Sequence, residues 1–210
     1  MIHADGALTF REFVMREPLP LATIHEAVLE FLRGRDDAVL FGAQAVNAYV
    51  DEPRMTQDVD ILAIRAAELA EELRALLQQR FQMAVRIRNI QEGTGYRIYQ
   101  VRTPKNRHLV DVRAVDELPP HGRMDDVLIL TPTELIRMKV LSMVARPQTA
   151  KGLTDAADLR RLLLAFPELK SEHGAVSDRL LASGATEKAL AAWQDLVHQE
   201  ILPDDDDSGF

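Results

Sequence analysis

The sequence predicts an α+β protein, a mixed-sheet core followed by a helical domain. Three observations carry this. Apolar residues recur at helical spacing in segments up to about residue 80, interrupted by short apolar runs of strand character. Between residues 83 and 115 the period drops to two. From residue 131 onward helical spacing returns, together with capping residues.

The elements follow in order. "ATIHEAVLEFLRG", residues 22–34, spaces Ile24, Ala27, Val28, Phe31 and Leu32 along one helical face. "AVLF", 38–41, reads as a short buried strand, broken by Gly42, after which "AQAVNAYV" reads as a helix. "QDVDILAI", 57–64, alternates and is rich in β-branched residues, so it is a strand; "AAELAEELRALLQQR", 66–80, is an amphipathic helix. "MAVRIRNI", "GYRIYQVRT" and "HLVDVRAV" then form an antiparallel meander whose connections, "EGTG" and "TPKN", carry turn chemistry. "DELPPHGRMD", 116–125, is the expected joint. Beyond it, "TPTELIRMKVLSMVA" opens with Thr131 as N-cap, Pro132 at the first helical position and Glu134 closing a capping box. "TDAADLRRLLLAF" is expected to start at a capping Thr154, and a last helix from about residue 186 places Trp193 in the core. The division predicted is residues 1–125 as core with an N-terminal helix, 126–203 as helical domain, and 204–210 as a disordered acidic tail.

Composition narrows the function classes. The chain of 210 residues is 47% hydrophobic and 28% charged, the balance of a soluble globular protein. It has no cysteine, which excludes disulfides and thiolate metal sites. No apolar run approaches the ~20 residues that span a bilayer, and the N-terminus lacks the pattern of a signal peptide, so a cytoplasmic protein with no membrane partner is expected. The net charge of −8 argues against a nonspecific nucleic-acid coat protein. Residues 80–113 nevertheless carry eight basic and two acidic side chains, a local +6. That stretch reads either as a solvated face or as a patch for RNA or triphosphate, with Tyr99 as a base-stacking candidate.

The chemistry-bearing residues stand out against this background. Asp58 and Asp60 are two apart in a strand and so project to one face. Two carboxylates ~4 Å apart repel by roughly 4 kcal/mol at an effective dielectric of 20. A shared proton, an arginine or a divalent cation relieves that, and Mg²⁺ suits hard oxygen ligands shared with phosphates. Asp111, flanked by valines in "LVDVR", poses the same problem on another strand. Three converging carboxylates can hold two metals ~3.5–4 Å apart, the arrangement for in-line phosphoryl or nucleotidyl displacement. Gly42, between a strand and a helix start, lets backbone approach an anion closely, and Arg54 and Thr56 precede the aspartate pair as candidate triphosphate contacts.

Together, "GAQAVNAYVDEPRMTQDVD" and the downstream Asp111 resemble the G-[G/S]…D-x-D…D signature of the DNA polymerase β-like nucleotidyltransferase superfamily. The order Arg54-x-Thr56-x-Asp58-x-Asp60 and the helical pattern that follows resemble its AbiEii/AbiGii toxin-type branch, over residues 22–165. The resemblance implies a mixed-sheet nucleotidyltransferase core and transfer of NMP from an NTP with two Mg²⁺ ions. It implies that Gly42 and Ala43 form the phosphate turn, that Asp58, Asp60 and Asp111 hold the metals, and that Asp111 helps activate the acceptor hydroxyl. It further implies that Lys139 faces the nucleotide phosphates, and it likens "KGLTDAADL" to a Lys-Asp-x-x-Asp element with Asp155 and Asp158. Two departures stand out. Ala43 lacks the hydroxyl of the usual Gly or Ser position, and Lys151 lies four residues before Asp155 instead of beside it. The acceptor expected from the resemblance is a tRNA end, with an antitoxin protein as partner. The alternatives are a small-molecule transferase of the aminoglycoside-modifying kind and a nucleotide-binding regulator that has lost catalysis. His108 is a further candidate for phosphate contact.

Overall fold

A computed structural model of the protein describes residues 20–90 and 93–203, so the acidic tail expected at 204–210 lies outside the described residues. The fold is α+β, as the periodicity predicts, with a mixed sheet and a helical C-terminal half. The helices are α1 (Leu21–Leu32), α2 (Gly42–Asn47), α3 (Ala66–Phe81), α4 (Pro132–Ala145), α5 (Ala150–Ala165), α6 (Ala175–Ala182) and α7 (Glu187–His198). The strands are β1 (Ala38–Phe41), β2 (Val59–Ala63), β3 (Val85–Ile90), β4 (Gly95–Gln100), β5 (Arg107–Ala114), β6 (His121–Met124) and β7 (Val127–Leu130).

Among the described residues these strands form one sheet in the order β3-β4-β5-β2-β1-β7-β6. The meander β3-β4-β5 is antiparallel, β5 runs parallel to β2, β2 is antiparallel to β1, and β1 is parallel to β7. The central strands β1 and β7 are buried along their whole length, which is why "AVLF" and "VLIL" are unbroken apolar runs. The edge strand β6 is exposed throughout, and the other edge, β3, buries Val85 and leaves the rest half-buried or exposed. Helix α1 buries Ile24, Ala27, Val28 and Leu32, and α3 buries Leu69, Ala70, Leu73 and Leu77. Both helices pack on one face of the sheet, so the opposite face is left for α2 and the helical half.

The sheet extends beyond the joint expected at residues 116–125. The stretch from His121 to Leu130 is a hairpin turning on Asp125 and Asp126, both with positive φ (47° and 65°). This two-residue left-handed turn matches the twist of an antiparallel pair. A four-residue apolar strand gives too short a run for periodicity to register. The helical run therefore begins at Pro132, where Thr131 caps α4 as expected by accepting from the Glu134 amide at 3.4 Å. The Glu134 carboxylate does not close the box. It is buried instead between Arg137 (2.9 Å) and Arg179.

Helix α5 begins one turn earlier than expected. Thr149 is its cap, accepting from the Gly152 amide at 3.0 Å, while Thr154 lies inside the helix and donates to the Ala150 carbonyl at 2.9 Å. The earlier start depends on Gly152, because a Cβ there would lie 1.8 Å from the Arg146 carbonyl oxygen. Helix α7 starts at its capping Thr186, and Trp193 is buried with its indole N–H donating to Ser177 Oγ at 3.0 Å. Helix α6, at eight residues, has no counterpart among the sequence expectations. Gly152→Ala is expected to lower stability by about 1–3 kcal/mol through overpacking of the α4–α5 turn, read as a drop in the melting temperature.

Candidate active site

The parallel pairing of β2 with β5 sets Asp60 directly beside Asp111. Paired residues of neighbouring strands share a face, so both carboxylates project to the side away from α3. Val59, Ile61, Val110 and Val112, each fully buried, point the other way and hold the two strands against the core. The row continues across the sheet, with Phe41 of β1 paired to Asp60, Arg97 of β4 to Asp111, and Arg88 of β3 to Arg97. Asp58 sits just before β2 begins.

A β-bulge completes the arrangement. Ile98 pairs with Val110, but the next residue, Tyr99, pairs with His108, which leaves Leu109 as an extra residue in β5. A three-residue separation would put His108 and Asp111 on opposite faces of a regular strand. The inserted residue returns His108 to the face of Asp111. Its ring then bridges two carboxylates, with Nδ1 2.9 Å from Asp58 Oδ2 and Nε2 2.8 Å from Asp111 Oδ1. Arg97 grips the same Asp111 carboxylate with two parallel bonds of 2.9 Å.

The charge states follow from these contacts. Burial pulls the His108 imidazole down, but its bonds to Asp111 and Asp58 outweigh that and raise it to about 9, so it carries a positive charge at neutral pH. Burial raises Asp111, yet His108 and Arg97 hold it well below the usual carboxylate range; Asp58 is lowered too, its burial outweighed chiefly by the bond to His108. Asp60 differs from both. It makes no hydrogen bond or ion pair among the described residues, and burial followed by the repulsion of Asp58 pushes it up to about 6. Gly42 makes room for it. At φ +72° that residue occupies the left-handed region, and a Cβ there would lie 2.1 Å from Asp60 Oδ2.

The loop before Asp58 is anchored at two points. Asn47, at the end of α2, clamps the Arg54 backbone, its Nδ2 donating to the Arg54 carbonyl at 2.8 Å and its Oδ1 accepting from the Arg54 amide at 3.1 Å. The Arg54 guanidinium reaches across to α5 and takes both oxygens of Asp158, at 2.6 and 2.8 Å. Lys139 of α4 is buried beneath, donating to Asp155 at 2.8 Å and to Asp158 at 2.6 Å, and Ser142 donates to Asp155. Thr56 is buried with its Oγ1 unpartnered.

The candidate metal and nucleotide residues from the sequence thus lie together, while Tyr99 lies outside the cavity. Gly42, Ala43, Arg54, Thr56, Asp58, Asp60 and Lys139 line a cavity of about 790 Å³ between the sheet and the helical half, and Asp111 lies beneath two of its wall residues, Arg97 and His108. Sequence reasoning passed over Asn47, Arg97, Arg113 and the bridging role of His108. A signal existed for Arg97, because an aspartate buried mid-strand needs a cation and the meander alternates arginines. The bulge that re-aims His108 leaves no mark in the apolar pattern.

The site also brings together side chains that could hold a metal ion. Asp58, His108 and Asp111 each offer a ligand atom within 4.8 Å of the others, His108 only after its imidazolium gives up a proton, and Asp60 is a half-buried carboxylate without a positive partner bonded to it. The imidazolium is expected to show in stability. A histidine raised to about 9 stabilises the fold fully below its unfolded value near 6.5, and that contribution is lost as pH rises through about 9. His108→Gln is therefore expected to be less stable than the parent by about 2 kcal/mol at pH 6.5, a gap that closes by about pH 10 in denaturant titrations.

At the level of sequence, no family model and no curated protein matches the chain. Solved structures do. The chain superposes on Megavirus polyadenylate synthase with a TM-score of 0.54 at 15% identity, covering 72% of this chain and 33% of the other. It therefore spans about a third of that protein's length. A candidate nucleotidyltransferase from H. pylori superposes with a TM-score of 0.52 at 12% identity, covering 91% of this chain and 96% of the other. The chain accordingly shares its α+β fold with these nucleotidyltransferase-type structures.

Proposed function

We propose that the protein transfers a nucleoside monophosphate from an NTP to an acceptor hydroxyl. The observation that carries this is the pairing of Asp60 with Asp111 on one sheet face, beside a glycine that yields room for the Asp60 carboxylate and within a cavity large enough for a nucleotide. In the reaction the acceptor oxygen forms a bond to the α-phosphorus, the bond to the bridging oxygen breaks, and pyrophosphate leaves. Asp58 and Asp60 would hold Mg²⁺, two ions with Asp111 as a further ligand, and bound metal supplies charge stabilisation for the attacking and leaving oxygens. The chain's own residues supply position. Asn47 and Asp158 fix the loop that carries Arg54, Thr56 and Asp58, and Arg97 and His108 fix Asp111. With both of those partners on it Asp111 is held well below the usual carboxylate range and is a weak base, so the proton of the acceptor hydroxyl would leave to water while Asp111 serves chiefly in positioning.

An RNA acceptor is favoured over a cationic small molecule by the sheet beyond the cavity. Arg86 and Arg88 are exposed on the face that carries Tyr99 and Arg97. The toxin-like reading, with a tRNA end as acceptor and an antitoxin as partner, rests on the AbiEii-type order of Arg54, Thr56, Asp58 and Asp60. Ala43 lines the cavity without a hydroxyl to offer, which weakens NTP binding relative to a serine.

The test is label transfer from each of four NTPs, with Mg²⁺, to total RNA and separately to an aminoglycoside. RNA is expected to be labelled, and Asp60→Asn to reduce the transfer by at least about 10²-fold. Equal transfer by variant and parent sinks the assignment. The variant should also be the more stable protein. A carboxylate raised to about 6 costs the folded state stability above that pH and nothing below about pH 4. Asp60→Asn is therefore expected to melt higher than the parent at pH 8, with the gain fading by pH 4.

A further inference from the structure

We infer that Arg113 and Lys151 bind the polyphosphate of the substrate, the role for which the sequence nominates Arg54 and Lys139. The inference rests on the reading of the cavity as an NTP site and names the cations that serve it. The cavity wall carries six lysine or arginine side chains: Arg54, Arg97, Arg113, Lys139, Arg146 and Lys151. Four are committed to carboxylates, Arg54 to Asp158, Arg97 to Asp111, Lys139 to Asp155 and Asp158, and Arg146 to Asp155. Releasing any of these to a ligand would strand a buried carboxylate, which costs more than a new phosphate contact returns. Arg113 and Lys151 make no ion pair among the described residues.

Their placement fits a polyanion. Arg113 is two residues beyond Asp111 on β5 and so shares its face; its partner on β4 is Gly95, which has no side chain to engage it. Its guanidinium lies 5.1 Å from the centre of the Phe41 ring, and its Nε is buried without an acceptor. Stacking holds the planar fork in a fixed orientation, and the unmet donor calls for an anionic oxygen. Lys151 faces it from the first turn of α5, on the helical side of the cavity, exposed and free to swing. Both charges act on Asp60, so they flank the carboxylate at which the reaction is proposed to occur. A ligand with two or more linked phosphoryl groups satisfies one fixed cation on each wall; a single carboxylate or a neutral sugar does not.

The test is calorimetry with inorganic tripolyphosphate and, separately, an NTP, each with and without Mg²⁺. Arg113→Met and Lys151→Met are compared with the parent, and Lys188→Gln serves as a control that removes an exposed charge on α7, outside the cavity. Melting curves establish that each variant is folded. Each of the two cavity variants is expected to bind tripolyphosphate about tenfold more weakly than the parent, and the control as tightly. Parent-like binding by both variants, an equal loss in the control, or no binding by the parent overturns the inference. A parent that binds tripolyphosphate through these residues but transfers no label fails the transferase reading alone. Undiminished transfer by both variants fails the inference alone.

Discussion

Neutralising carboxylates inside a low-dielectric interior is the constraint that organises this molecule. Asp58, Asp111, Asp155 and Asp158 all lie between the sheet and the helical half, and each is matched by a cation from another element, His108 for Asp58, Arg97 for Asp111 and Lys139 for the other two. An isolated ionised carboxylate in that environment would protonate or unfold the region, so the partners are obligatory. Because they come from distant segments, the ion pairs also serve as fasteners. Arg54 ties the loop before β2 to α5, 104 residues away, and Lys139 ties α4 to α5.

Asp60 is the departure from that rule. A backbone glycine, an aromatic ring and two like charges surround it, and the cations that act on it, Arg113 and Lys151, make no bond to it. A protein selected for stability alone would place an arginine there, as it does for Asp111. Leaving one carboxylate unmatched stores unfavourable charge where a cationic ligand releases it. The same division holds among the cations, most of which are consumed by structure and a minority left for ligand.

Much of this was legible in the sequence, for identifiable reasons. The strand carrying Asp60 announces itself by alternation, the meander by its period and turns, and α4 by Thr131 and Pro132. That Asp60 and Asp111 each turn away from the apolar side of their strand follows from their neighbours, Val59 and Ile61 for the one and Val110 and Val112 for the other. Pairings across long separations were not legible. Nothing local tells that Arg54 seeks Asp158, so a residue assigned to ligand binding by its position turns out to be held by the fold. Short elements were missed for a related reason. The β6–β7 hairpin and α6 each present too few apolar positions to define a period, and their burial is settled by the neighbours they meet.

The additional residue at Leu109 makes this segment sensitive to reading frame in a way the rest of the sheet is not. Loop lengths around the sheet can vary between relatives without disturbing which side chains meet. Between Arg107 and Asp111 the count is fixed, because shortening it by one would swing the imidazole to the valine side, leaving Asp58 without its ion pair and Asp111 with Arg97 alone. Relatives that look similar around the aspartates but differ by one residue here would share the architecture and lack the bridge, and alignment by spacing alone would not reveal the difference.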